Sequence, residues 1–151
     1  MGNIREDLIV FGVKAENAEE AIRAVGANLI KGGYVKDSYL PAVIEREAEY
    51  PTGLQLRTIG VAMPHTAGVH VNMPAICVAK LEKPVEFGHM GDPDTKVQAE
   101  LLFMMAIKNP DEQLDMLKKV MSVFTNDEAV EKLSAAASQD ALYEAAKAYI
   151  G

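Results

Sequence analysis

Residues 97–107, VQAELLFMMAI, restrict the fold more than any other stretch of the chain. The run carries a single charge, Glu100, and is long enough for a central strand. Successive side chains of a strand point to opposite faces, so a strand apolar at consecutive positions must be covered on both sides. Met104 and Met105 are expected as core filler, because a flexible thioether fits irregular gaps. AICVAKL (75–81) is a second buried-strand candidate, DLIVFGV (7–13) a third, and GLQL and IGVAM read as shorter extended pieces. KPVEFGHMGDPDT is expected to be a turn-rich connection.

Helical signals fall between these runs. Asn17 with Glu20 three residues on has capping-box spacing, and Ala21, Ile22, Val25 and Leu29 repeat on one helical face until Gly32 and Gly33. Ser38 is a candidate cap that puts Pro41 in the first turn of a helix ending near Arg46 and Glu47, before Pro51 and Gly53. Asn109 and Pro110 start another, whose apolar face is expected to be Leu114, Leu117, Met121 and Phe124; Asp111 and Glu112 suit its positive end. DEAVEKL is helical, and a last helix from Ser138 buries Leu142, Ala146 and Ile150. Interleaved strands and helices give an α/β class. Their spacing is not a clean βαβ series, so the expectation is a mixed β-sheet flanked by helices on both faces, in one domain over residues 1–151.

Composition narrows the function. The net charge of −7, with Lys and Arg scattered, disfavours nucleic acid as a partner. Cys77, the only cysteine, lies in an apolar run and reads as a buried, inert thiol. No stretch approaches the ~18 apolar residues of a membrane span, and MGNIREDLIV has no signal-peptide pattern, so a cytoplasmic location is expected.

There are three histidines. His65 follows Pro64 directly at the end of an apolar segment, GVAMPHT. Pro64 pushes Met63 towards an extended conformation and ends the strand, leaving His65 on a rigid mount within reach of a cleft. A hydrogen-bonded structural role is the competing reading for His65, as for His70 and His89. His65 and His70 are five apart, which is not the pairing of a helical zinc site, and no third ligand has suitable spacing, so no metal is expected. Neither a GxSxG elbow nor a Walker loop nor a GxGxxG fingerprint is present. What remains is nucleophilic catalysis by the imidazole itself, with no cofactor.

The stretch IEREAEYPTGLQLRTIGVAMPHT (44–66) resembles the enzyme IIA domains of the phosphoenolpyruvate-dependent sugar phosphotransferase system, fructose/mannitol superfamily. The elements are Arg46-Glu47, Thr52-Gly53 and the run Gly60 to His65. YLPAVIEREAEYPTG, VAMPHT followed by VHV, and NPDEQLDML are similar to the galactitol-type branch, so the resemblance covers nearly the whole chain.

This resemblance implies that His65 is phosphorylated, that the donor is the histidine-containing phosphocarrier protein, and that the acceptor is a cysteine of enzyme IIB. Enzyme IIC, the membrane transporter, would be engaged only indirectly. Arg46 is the cation expected beside the phosphate, since its planar fork suits three oxygens. Glu47 is expected either to orient a ring nitrogen or tie down Arg46, or to be an exposed helix residue. Thr52 and Thr66 are candidate hydroxyl donors. Many members carry a second histidine at the position taken here by Gln113, so Gln113 or His70 is the candidate replacement. Met63, Val69 and Val71 are candidates for an apolar docking rim. A free-standing regulatory module governed by phosphorylation of His65 is the alternative, and a metal-dependent hydrolase using His65 and His70 a third reading.

Overall fold

Residues 97–106 of the VQAELLFMMAI run form the last ten residues of a 15-residue strand, Asp92–Ala106. The computed structural model describes residues 4–150, except the side chains of Pro110, Glu112 and Gln113. In chain order the strands are β1 (Ile9–Val13), β2 (Gly53–Gln55), β3 (Gly60–Ala62), β4 (Ala75–His89) and β5 (Asp92–Ala106). The helices are α1 (Ala18–Lys31), α2 (Tyr39–Glu49), α3 (Pro110–Phe124), α4 (Asp127–Ala135) and α5 (Gln139–Tyr149).

β5 lies between an antiparallel β4 and a parallel β3. β1 runs parallel to β4, and β2 pairs antiparallel with β3 while touching the far end of β4 at Gly53 and His89. The sheet is therefore mixed, as expected. Its two faces are sorted by strand alternation. Cys77, Ala79, Leu102 and Met104 pack with Ile22, Val25 and Leu29 of α1 and Val43 of α2. Ile76, Val78, Leu101, Phe103 and Met105 pack with Val120 of α3, Leu133 of α4 and Leu142 of α5. Phe103 and Phe124 meet edge to face, centroids 5.2 Å apart, an arrangement favoured by the ring quadrupoles. Cys77 is fully buried, and its surroundings push the thiol up to about 12.

Local signals explain most helix ends. Asn17 Oδ1 accepts from the Glu20 N–H (2.9 Å), and Glu20 Oε1 accepts from the Glu16 N–H (2.9 Å), satisfying donors the helix itself cannot. Gly33 takes φ +78° after α1, a left-handed conformation that favours glycine. Ser138 Oγ accepts from the Ala141 N–H (3.1 Å) and starts α5. Leu142, Ala146 and Ile150 are buried as read.

Three expectations are corrected. KPVEFGHMGDPDT is not a loose connection: it holds the outer arms of the β4–β5 hairpin, and only Met90 and Gly91 turn. Register shifts between Lys80 and Val85 and at Gly88–His89 accommodate the breakers in this stretch. His89 is structural here, with Nδ1 accepting from the Gly91 N–H (2.9 Å). On α3 the buried set is Met116, Val120, Val123 and Phe124, whereas Leu114 and Met121 face outward. Ser38 makes no side-chain cap; its hydroxyl is 2.8 Å from His70 Nδ1 instead.

At the edge strand β1, Gln139 takes the place of a neighbouring strand. Its amide donates to Ile9 O (2.5 Å) and accepts from the Phe11 N–H (3.1 Å).

Candidate functional site

β3 ends at Ala62, and the chain then crosses Pro64 to His65. The crossing is fixed, because the Met105 N–H donates to Pro64 O (3.1 Å). His65 is half-buried at the wall of a hollow of about 270 Å3 that Arg46, Thr66, Gly68, Lys108 and Asn109 also line. One wall thus comes from the end of α2, one from the loop after β3, and one from the segment joining β5 to α3.

The ring is oriented by the backbone. His65 Nδ1 lies 2.7 Å from Met63 O. A carbonyl oxygen can only accept, so the proton belongs to Nδ1 and Nε2 keeps its lone pair. Burial holds the imidazole below its usual pKa; the Met63 bond opposes this, and the Arg46 charge adds to it. His65 is therefore neutral at physiological pH, the nucleophilic state.

Arg46 sits in the last turn of α2, exposed, its guanidinium 5.5 Å from the Tyr50 ring centre. It lines the His65 hollow and also a neighbouring one of about 300 Å3, which His70, Glu45, Glu49 and Tyr50 border. Thr66 and Ala67 are shared by both. His70 is thus brought near Arg46 but faces the second hollow, stapled to Ser38. The Lys36 backbone N–H donates to His70 O (2.9 Å) and Lys36 Nζ to Val69 O (2.9 Å), holding the 66–70 loop against the segment before α2.

Glu47 and Thr52 lie behind the hollow. Both are buried. The Thr52 N–H donates to Glu47 Oε2 (2.7 Å) and the Thr52 hydroxyl to Oε1 (2.8 Å). The Met63 N–H in turn donates to Thr52 Oγ1 (3.0 Å). Glu47 therefore touches neither the His65 ring nor Arg46 by a hydrogen bond; its partner is Thr52. Burial pushes its carboxyl up to about 7, against the Thr52 hydrogen bonds and the Arg46 charge. The Thr52 hydroxyl, expected to face a phosphate, is spent on Glu47 and Met63.

Of the expected docking rim, Met63 and Val71 turn into the core and Val69 alone is exposed. Gln113 lies on α3, its side chain outside the described residues. Sequence reasoning does not single out Lys108, yet it lines the His65 hollow, its Nζ donating to Asn72 O (3.2 Å). A lone cation between a buried strand and a helix start, in KNP, is the signal that could have found it. Among the described residues no three His, Cys, Asp or Glu side chains cluster to hold a metal, and no helix is long and apolar enough to cross a membrane.

The hollow offers a neutral imidazole with one bare nitrogen, an arginine, a lysine and a hydroxyl. That set suits uptake of a phosphoryl group, whose transfer asks mainly for alignment and charge stabilisation. Comparison with known proteins agrees. The sequence model of the family described as "Phosphoenolpyruvate-dependent sugar phosphotransferase system, EIIA 2" matches residues 3–148. The galactitol-specific EIIA component of Escherichia coli K12 is 30% identical over 122 residues, covering 81% of each chain. The mannitol-specific phosphotransferase enzyme IIA component of Geobacillus stearothermophilus is 33% identical over 140 residues, 91% of this chain and 90% of that one. Among solved structures, the complex of mannitol enzyme IIA with phosphorylated mannitol enzyme IIB from Escherichia coli matches with a TM-score of 0.76 at 28% identity, covering 92% and 93% of the two chains.

Proposed function

The chain belongs to the EIIA 2 family of the phosphoenolpyruvate-dependent sugar phosphotransferase system, and from that premise we propose that residues 1–151 act as one cytoplasmic phosphocarrier domain with His65 as the acceptor. It is a phosphotransferase component, and domains of this family work with an EIIB partner. The donor is the histidine-containing phosphocarrier protein, the acceptor a cysteine of enzyme IIB, and enzyme IIC the transporter served downstream. The relatives act on galactitol and mannitol, so the cargo is assigned to the sugar alcohols.

The observation that carries this reading is the His65 Nδ1 to Met63 O bond, which leaves Nε2 as the nucleophile. The Nε2 lone pair attacks phosphorus; the Nε2–P bond forms as the donor's N–P bond breaks, its electron pair returning to the donor ring. The proton stays on Nδ1, and the Met63 carbonyl stabilises the positive charge the ring acquires. Arg46 and Lys108 balance the phosphoryl oxygens, and the Thr66 hydroxyl donates to one of them. In the second step the enzyme IIB thiolate attacks phosphorus, the S–P bond forms, and the electron pair returns to Nε2. His70, which borders the adjoining hollow together with Arg46, is the candidate for the second imidazole.

Incubation with phosphoenolpyruvate, enzyme I and the phosphocarrier protein tests this. The expected result is an acid-labile mass gain of one phosphoryl group, attached at Nε2 by phosphorus NMR. His65→Ala, folded by circular dichroism, takes none. A gain retained in His65→Ala refutes the assignment.

A further inference from the structure

We propose that Thr52, held by Glu47, is a positioning residue for phosphoryl transfer: it pins Met63 so that the Met63 carbonyl keeps His65 protonated on Nδ1 and bare on Nε2. The inference rests on the reading of His65 as the phosphoryl acceptor and deepens it.

The argument is one of hydrogen-bond accounting. Glu47 is acceptor-only when ionised, and both its oxygens are taken by Thr52. The Thr52 hydroxyl has a single proton, which goes to Glu47 Oε1, so a lone pair is left to face the Met63 N–H. Met63 is thereby held at its N–H by Thr52 and at its carbonyl by His65. Pro64 further restricts the Met63 backbone, and Met105 holds the Pro64 carbonyl. The Met63 side chain is buried as well. No freedom remains for this carbonyl to swing away from the ring, and Nδ1 has no other hydrogen bond among those described. A free imidazole exchanges its proton between two nitrogens; here one tautomer is selected by a chain of contacts starting from a carboxylate that never meets the ring.

Position matters more than electronics in this arrangement, because the N–H and C=O of Met63 belong to different peptide groups. Thr52 acts through geometry, and its loss lets the Met63 carbonyl drift and the ring turn over. Glu47 and Thr52 line neither the His65 hollow nor the one bordered by His70. They are therefore separable from the groups that touch phosphate.

Thr52→Val removes the hydroxyl at nearly constant volume, and Thr52→Ser restores it. The readouts are the imidazole tautomer of unphosphorylated His65, from proton–nitrogen correlation NMR, and the single-turnover rate of phosphoryl uptake from the phosphocarrier protein. Wild type is expected as the Nδ1–H tautomer. Thr52→Val is expected to populate the Nε2–H form and to slow uptake about tenfold, the rate equivalent of one hydrogen bond. Thr52→Ser is expected to recover both. An Nε2–H ring in wild type overturns the proposal whether or not any variant folds. So does a Thr52→Val protein with unaltered tautomer and rate, or a loss of rate that Thr52→Ser fails to recover. A wild-type protein that takes no phosphate sinks the carrier reading instead, and the tautomer spectrum still decides the role of Thr52.

Discussion

Glu47→Gln should change the protein's response to alkaline pH. The carboxyl is buried and is pushed from its ordinary 4.5 to about 7. At about 1.4 kcal/mol per pH unit, that displacement is worth about 3 kcal/mol. Glu47 also borders a hollow of about 200 Å3 behind α2, and solvent there trims the figure to about 2–3 kcal/mol. The folded state holds this proton more tightly than the unfolded chain does. The stabilisation is therefore complete below about 4.5 and lost as pH rises through about 7. The introduced amide would mimic the protonated acid: it accepts from the Thr52 N–H and donates to one lone pair of Thr52 Oγ1, the other lone pair still accepting from the Met63 N–H as the hydroxyl proton turns away from residue 47. Urea unfolding at pH 5 and pH 8 reads the difference. The variant should match wild type at about pH 5 and exceed it by about 2 kcal/mol at about pH 8. His65 works the other way, since its lowered pKa adds stability that is lost on acidification; it is present in both proteins and cancels to first order. A difference that stays flat with pH, or a variant that weakens as pH rises, refutes the reasoning.

Arg46→Lys should leave unfolding free energy within about 0.5 kcal/mol, because the side chain is exposed, yet slow phosphoryl uptake by roughly tenfold through loss of the fork; a rapid-quench time course reads this. Burial lowers the His65 pKa, so the acid fall in wild-type uptake should have its midpoint below the ~6.5 of an ordinary imidazole; a midpoint above that in the same assay would contradict it. Gly68→Ala would place a Cβ 2.0 Å from Lys108 O, so the loop must move off the β5–α3 segment. A cost of about 1–3 kcal/mol and displaced His65 ring resonances are expected, checked by thermal melts and NMR.

The sheet layers, most helix ends and His65 itself were legible because each has a local cause. Asn17 and Ser138 satisfy N–H groups three residues away, and Pro64 acts on its immediate neighbour. Expectation failed where partners lie far apart in sequence. Ser38 has the composition of a cap, but its hydroxyl meets His70, 32 residues on. The 83–95 stretch has the residues of a loop, but pairing across the hairpin overrides local preference. On α3 two overlapping apolar stripes both fit a helical period, and only the sheet above decides that Met116, Val120 and Val123 go inward. In the site, Arg46 and the role of His65 were named from a resemblance. The link from Glu47 through Thr52 to Met63 has no pattern in the chain, since it is made of a helix end, a turn and a strand end meeting in space.

Gln139 has a consequence for what this molecule does in company. Backbone groups on the rim of a sheet will accept any extended peptide, including a second copy of the same protein. By occupying Ile9 O and Phe11 N with one amide, α5 closes the slot that such a visitor would need. The final helix is therefore a stopper as well as a cover, and loss of the Gln139 amide alone would leave Ile9 O and the Phe11 N–H open to a visiting strand.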